Sequence, residues 1–166
     1  MNIFFVDRDP IVAAQMMCDK HVVKMILESA QMLSTTHRVL DGDEHANNVG
    51  MYKLAHKNHP STIWTRTANK NYEWLWQHMY GLMKEYTYRY GKHHATERLI
   101  HSLSKLPKNI PLEEFTDPPQ CMPEYCKNED AVSAYHKYYI MEKSNFATWK
   151  RRDKPEWFYD LEKVSA

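Results

Sequence analysis

Apolar residues recur every three or four positions over long parts of this chain, the spacing that builds one buried face of a helix. A helical pattern runs from Pro10 to about Val39, with Asp9 as its N-cap, Pro10 at the first helical position and a break near Cys18–Asp19. The turn Asp41–Gly42–Asp43 then opens a polar loop that lasts to about Pro60. The next helix begins near Ala68 and stops at Gly91, keeping Tyr72, Leu75, Trp76, Met79, Leu82, Met83, Tyr86 and Tyr90 at helical spacing. A shorter helix, His94 to about Lys105, ends before Pro107. Five prolines (Pro107, Pro111, Pro118, Pro119 and Pro123) make residues 107–128 an extended, irregular crossing. The last helix starts near Asp130, with Tyr135, Tyr138, Tyr139, Phe146 and Trp149 on its apolar side. Asn2 to Val6 reads either as a strand or as a tucked-in terminal segment. The pattern predicts an all-α, mainly helical fold, a single domain over residues 1–166 with one long Pro-rich crossing.

One stretch breaks the apolar rhythm in an orderly way. In "CDKHVVKMILESAQ", His21, Lys24, Glu28 and Gln31 recur at spacings of three, four and three, which stacks them on one helix face. Such a row is either a solvated rim or the wall of a site. On a helix with apolar flanks, Glu28 would be partly desolvated, which suits a carboxylate to proton transfer.

Composition narrows the chemistry. The 166 residues carry a net charge of only +1, so any surface that binds phosphate must be local. Three cysteines, Cys18, Cys121 and Cys126, make no disulfide framework, and the CX4C pair has no second Cys/His pair at finger spacing to complete a zinc site. Glu97 and His101 stand at i, i+4, yet no HEXXH motif is present, so no metal is expected. The N-terminus "MNIFFVDRDP" is too short and too acidic for a secretory signal, and no run approaches a membrane span. The expected compartment is the cytoplasm, a host's if the source is viral.

Two further features can carry chemistry. An α-amino group titrates near pH 7.7–8.0, so the Met1 amine is a nucleophile at neutral pH in a way that lysine is not. Second, "NHPSTIWTR" and "KRRDKPEWFYD" mix basic and aromatic residues, as contacts to phosphates and bases require, although core aromatics and a solvated turn use the same letters.

In the order of three segments the chain resembles the phage-type pyrimidine-dimer DNA glycosylases, the endonuclease V family. The frame Asp-x-His followed by Glu seven positions after the His is matched by Asp19, His21 and Glu28. The long aromatic helix "YEWLWQHMYGLMKEYTYRYGK" and the tail Pro155, Trp157, Phe158 follow in the same order. The whole chain also resembles small proteins of tailed phages. The resemblance implies a compact helical enzyme that extrudes a nucleotide and attacks the sugar C1′ with its terminal amine. It would need no cofactor and would act on DNA carrying a damaged or modified base.

Carried over by position, the resemblance makes Glu28 the catalytic carboxylate, Met1 the nucleophile and His21 the histidine beside the DNA. Lys20, Lys24, Gln31, His59 and Arg66 become candidate contacts to the nucleic acid. So do Lys150, Arg151 and Arg152, with Trp157, Phe158 and Tyr159 approaching the base. Two positions differ from the family pattern. Asn2 stands where a small residue would allow methionine removal, and Leu27 and Gln31, not arginines, flank Glu28. The expected function is a DNA glycosylase with abasic-site lyase activity. The alternatives are a base-modification or nucleotide-processing enzyme on the same scaffold, and a non-enzymatic module that binds nucleic acid or a host protein.

Overall fold

The computed structural model describes residues 1–159, and among them there are seven α-helices and no strand. Helix α1 (Pro10–Met16) starts where Asp9 accepts hydrogen bonds from the Ile11 and Val12 amides. Met17 and Cys18 are extended, and α2 (Asp19–Asp41) follows, so the expected break falls at Cys18. The "polar loop" contains a short α3 (Glu44–Asn48), and α4 (Pro60–Thr67) fills a stretch whose periodicity was too brief to predict a helix. Helix α5 (Asn69–Tyr90) ends in a left-handed Gly91 (φ 69°), as the glycine stop predicts. The helix expected over His94–Lys105 is a 3₁₀ turn (Ala95–Leu99) running into α6 (Ile100–Leu103). Helix α7 (Ala131–Lys143) is shorter than its pattern, and Phe146 and Trp149 lie beyond its end.

The core forms where α2 and α5 pack together and α1 and α4 pack on them. Gly81 lets α1 approach α5 closely: a Cβ there would lie 3.1 Å from both Ala14 Cβ and Ile11 Cδ1. The terminal segment is not a strand but an extended thread through the core, with Ile3, Phe4, Phe5 and Val6 all buried. Each such side chain contributes about 1.5–3 kcal/mol by burial. That exceeds the roughly 1–2 kcal/mol needed to fix a residue's backbone, so the thread is held.

The interior also buries charge. The Arg89 side chain is fully covered, and its guanidinium donates to the carbonyls of Gln15 and Met17 and to Asp19 Oδ1 (3.0 Å). Glu85, 1% exposed, accepts from Arg152 Nε at 2.7 Å and sits one turn from Arg89. Asp19 in turn accepts from the Lys150 amide and the Thr148 hydroxyl, which docks residues 148–152 onto the start of α2. Truncating a buried ion-pair member leaves its partners unpaired and costs about 3–5 kcal/mol. Arg89→Ala is therefore expected to lower the unfolding free energy in urea by an amount in that range, and a loss under about 1 kcal/mol would show the network to be solvated.

Candidate active site

The thread through the core determines where the terminal amine lies. Asn2 Nδ2 donates to the Cys121 carbonyl (2.9 Å), while Asn2 Oδ1 accepts from the Ile3 amide and from the Tyr135 hydroxyl (2.7 Å). Phe4 stacks on the His21 ring, with centroids 4.0 Å apart. These anchors leave the Met1 amine 3.3 Å from Glu28 Oε1, with the Met1 side chain only 2% exposed. Glu28 is 15% exposed and projects from the middle of α2. Its second oxygen, Oε2, lies 3.7 Å from Lys24 Nζ, and among the described residues it accepts no hydrogen bond.

His59 feels the charges of this pair. Its Nδ1 accepts from the Ser61 amide (3.1 Å) and caps α4, which leaves Nε2 as the protonated nitrogen of the neutral ring. Burial lowers the His59 pKa, and the positive charges of the Met1 amine and of His56 lower it further, with Glu28 opposing them. His59 thus stands in the same field as the amine and the carboxylate, and stays neutral. Arg66 donates to the Lys57 carbonyl (2.8 Å) and so holds the His56–His59 turn, in which His56 takes a left-handed φ of 47°.

The other expected site residues separate into groups. Lys20 and Lys24 are exposed on α2 at i, i+4, two turns and one turn ahead of Glu28, while Gln31 is half-buried one turn beyond it. His21 does not share this row. It turns inward, 5% exposed, between Phe4 and the Tyr139 hydroxyl (2.7 Å from Nδ1), and burial lowers its pKa to about 3. Helical spacing places His21 near Glu28 in projection, but an apolar surround covers it, and its observed role is to hold Phe4.

The aromatic tail also differs from expectation. Phe158 is 6% exposed and packs edge-on against Trp149, so its ring is core, not base contact. Trp157 stacks on His136 (4.0 Å, 7°), and Tyr159 alone of the three is open, 46% exposed. Arg152 is committed to Glu85, whereas Arg151 is exposed at a left-handed φ of 62°. Sequence reasoning missed Asn2 as the anchor of the amine. No local signal could reveal it, because its partners Cys121 and Tyr135 are more than a hundred residues away.

Among the described residues no group of three His, Cys, Asp or Glu side chains is arranged to hold a metal ion, and no helix is long and apolar enough to cross a membrane. A cavity of about 500 Å³ lies at the far end of α2, lined by His37, Asp41, His45 and Lys105 among others, away from the amine.

Compared with known families, residues 1–98 match the model of the pyrimidine dimer DNA glycosylase family. No match is found among the curated proteins or among the solved structures. The matched span contains Met1, Asn2, His21, Lys24, Glu28 and His59, and it ends ahead of the proline-rich crossing and α7.

The buried histidines make stability depend on pH. His21, His37 and His78 have pKa values lowered by burial to about 3, 4 and 4, against about 6.5 in an unfolded chain. Each stays neutral in the folded state at pH 5 while the unfolded state binds a proton, so stability is fully present above pH 6.5 and is lost as pH falls below it. The loss by pH 5 is on the order of 2 kcal/mol per histidine. Urea midpoints at pH 7 and pH 5 are expected to show this fall, and His78→Gln to reduce it by about a third; an unchanged midpoint would mean that these rings titrate normally.

Proposed function

The chain belongs to the pyrimidine dimer DNA glycosylase family, and on that premise we propose that it cleaves the base–sugar bond of a damaged or modified nucleotide in DNA with its own terminal amine. The observation that carries this reading is the 3.3 Å contact between the Met1 amine and Glu28 Oε1, inside the span that the family model matches. Extruding a nucleotide from the stack costs a few kcal/mol, least where the base is damaged. With the sugar beside α2, the amine reacts in its unprotonated form, its lone pair turned to C1′, while Glu28 stays ionised beside it. The amine attacks C1′; the C1′–base bond breaks, and its electrons leave on the base, which is then protonated. Opening of the sugar ring turns the C1′ adduct into a Schiff base, the species from which abasic-site lyase chemistry proceeds.

Glu28 has a second part in the same step. Positive charge develops on C1′ and the ring oxygen as the base departs, and a fixed carboxylate stabilises it most where water is excluded. Oε2, buried and without a hydrogen-bond donor, is available for this. Lys24 at 3.7 Å keeps the carboxylate charge from being held by the amine alone. Neutral His59, in the field of the amine and Glu28, carries on Nε2 a proton that it can donate to a departing base or to the sugar oxygen.

The residues around the pair bear on which base is taken. Gln31 and Leu27 occupy the helix turn beside Glu28, so the surface there offers an amide and an apolar branch near the carboxylate. An amide can both donate to and accept from a base edge, which favours reading one flipped base by hydrogen bonds over clamping two by charge.

The reading is tested on duplex DNA carrying ultraviolet lesions, abasic sites or modified pyrimidines, with base release and strand scission measured. Wild-type protein is expected to act on one of these, and Glu28→Gln to lower the rate roughly 100- to 1000-fold, as removal of a transition-state charge does. Activity of Glu28→Gln equal to wild type would remove the carboxylate from the mechanism.

A further inference from the structure

Beyond the reaction centre, the surface of α2 continues as a row of cations. Lys20 and Lys24 precede Glu28 at successive four-residue intervals, so one exposed line runs from the carboxylate back to the start of the helix, about 12 Å at 1.5 Å per residue. Segment 143–151 meets the row there. Lys20 Nζ sits 4.5 Å from the centre of the Phe146 ring, and Lys143 Nζ lies 5.8 Å from the same centre and 4.8 Å from that of Tyr138. On the other side of Asp19, Lys150 Nζ lies over Tyr90 (5.1 Å) and the Arg151 guanidinium over Tyr88 (4.8 Å). The Thr148 carbonyl and the Lys150 amide are hydrogen-bonded to Asp19, so all of these cations are gathered around one helix end.

Three features separate this cluster from an ordinary solvated face. Among the described residues, Lys20, Lys143, Lys150 and Arg151 have no carboxylate within 4.0 Å, although the chain's charges nearly balance. The carboxylate nearest in position, Asp19, is taken up by Arg89, Thr148 and the Lys150 amide. Each cation is held over an aromatic face, which fixes the charged head and lowers the entropy lost when it binds. Arg151 reaches its ring only through a left-handed backbone (φ 62°), a conformation that costs a non-glycine residue free energy and persists where neighbours enforce it.

We propose that Lys20, Lys143, Lys150 and Arg151 form a track for the phosphate backbone of DNA on one side of the reaction centre, entered through Lys24. The inference rests on the reading of the substrate as DNA, and it adds a surface that lies mostly outside the span matched by the family. The rings serve to place the cations, and the cations meet the phosphates, so the track positions the strand through its backbone. Its length along α2 spans several nucleotides at about 3.4 Å per nucleotide of one strand.

Binding without chemistry tests it, using a fluorescent duplex with a central tetrahydrofuran abasic-site analogue that cannot form a Schiff base. Dissociation constants are measured from low to high salt for wild type and for Lys20→Ala/Lys143→Ala/Arg151→Ala. The slope of log K against log salt is expected to flatten by about 2 to 3, near 0.9 for each phosphate left without its cation. The variant Lys20→Arg/Lys143→Arg/Arg151→Lys keeps the charges and is expected to keep the slope. Lys105→Ala/Lys108→Ala, at the far end of α2, removes two exposed lysines and is expected to leave the slope unchanged. Circular dichroism of each variant shows that the fold is retained. An unchanged slope in the triple alanine variant would overturn the track, as would an equal flattening in the far-end variant. Neither result depends on glycosylase activity, so failure of the track and failure of the catalytic reading are told apart.

Discussion

The site exists because four apolar residues near the start of the chain are buried. Ile3, Phe4, Phe5 and Val6 are drawn into the core formed by α2, α5 and α7, and residues 1 and 2 have little freedom left once they are placed. An α-amino group at a free chain end samples a large volume; here its position is as fixed as that of a side chain. Asn2 completes the constraint with hydrogen bonds to the Cys121 carbonyl and the Tyr135 hydroxyl, in distant parts of the chain. The terminal amine and the Glu28 carboxylate are therefore brought together by hydrophobic burial, and the attraction between them only refines the contact.

A second constraint acts at the other end of the site. Arg89 and Glu85, both buried on α5, connect α1, the start of α2 and the segment after α7 through Asp19 and Arg152. Such a network adds little net stability compared with an apolar core, but its geometry is demanding, and it admits one arrangement of these elements. One consequence is local: residues 148–151 are pinned beside Lys20, so a cationic surface forms in a chain whose net charge is close to zero. The carboxylates in the interior absorb the charges of Arg89 and Arg152 and leave the outer cations unpaired.

Much of the fold was legible from periodicity. The break before Asp19, the Pro10 start and the Gly91 stop each follow from a local rule, since caps and glycine stops are set by neighbours in sequence. Helices α3 and α4 were not legible, because five and eight residues give too few turns for a pattern to show. The stripe on α2 was half legible. Spacing identified a polar row, but which members face outward depends on what packs against them. Phe4, far from His21 in sequence, turns it into a core residue and leaves Lys20, Lys24 and Glu28 as the outward row. The tail shows the same limit: Trp157 and Phe158 have the composition of a base-stacking surface, yet His136 and Trp149 already occupy their faces.

The central claim is that the terminal amine is the nucleophile and Glu28 its partner. The most direct measurement is sodium borohydride trapping on abasic-site DNA, followed by proteolysis and mass spectrometry of the cross-linked peptide. One adduct is predicted, carried on the peptide that begins at Met1 and located on its α-nitrogen. That adduct is also expected to disappear when a residue is added ahead of Met1 and the amine is thereby moved from Glu28. An adduct on a lysine, or trapping that survives the added residue, would contradict the claim.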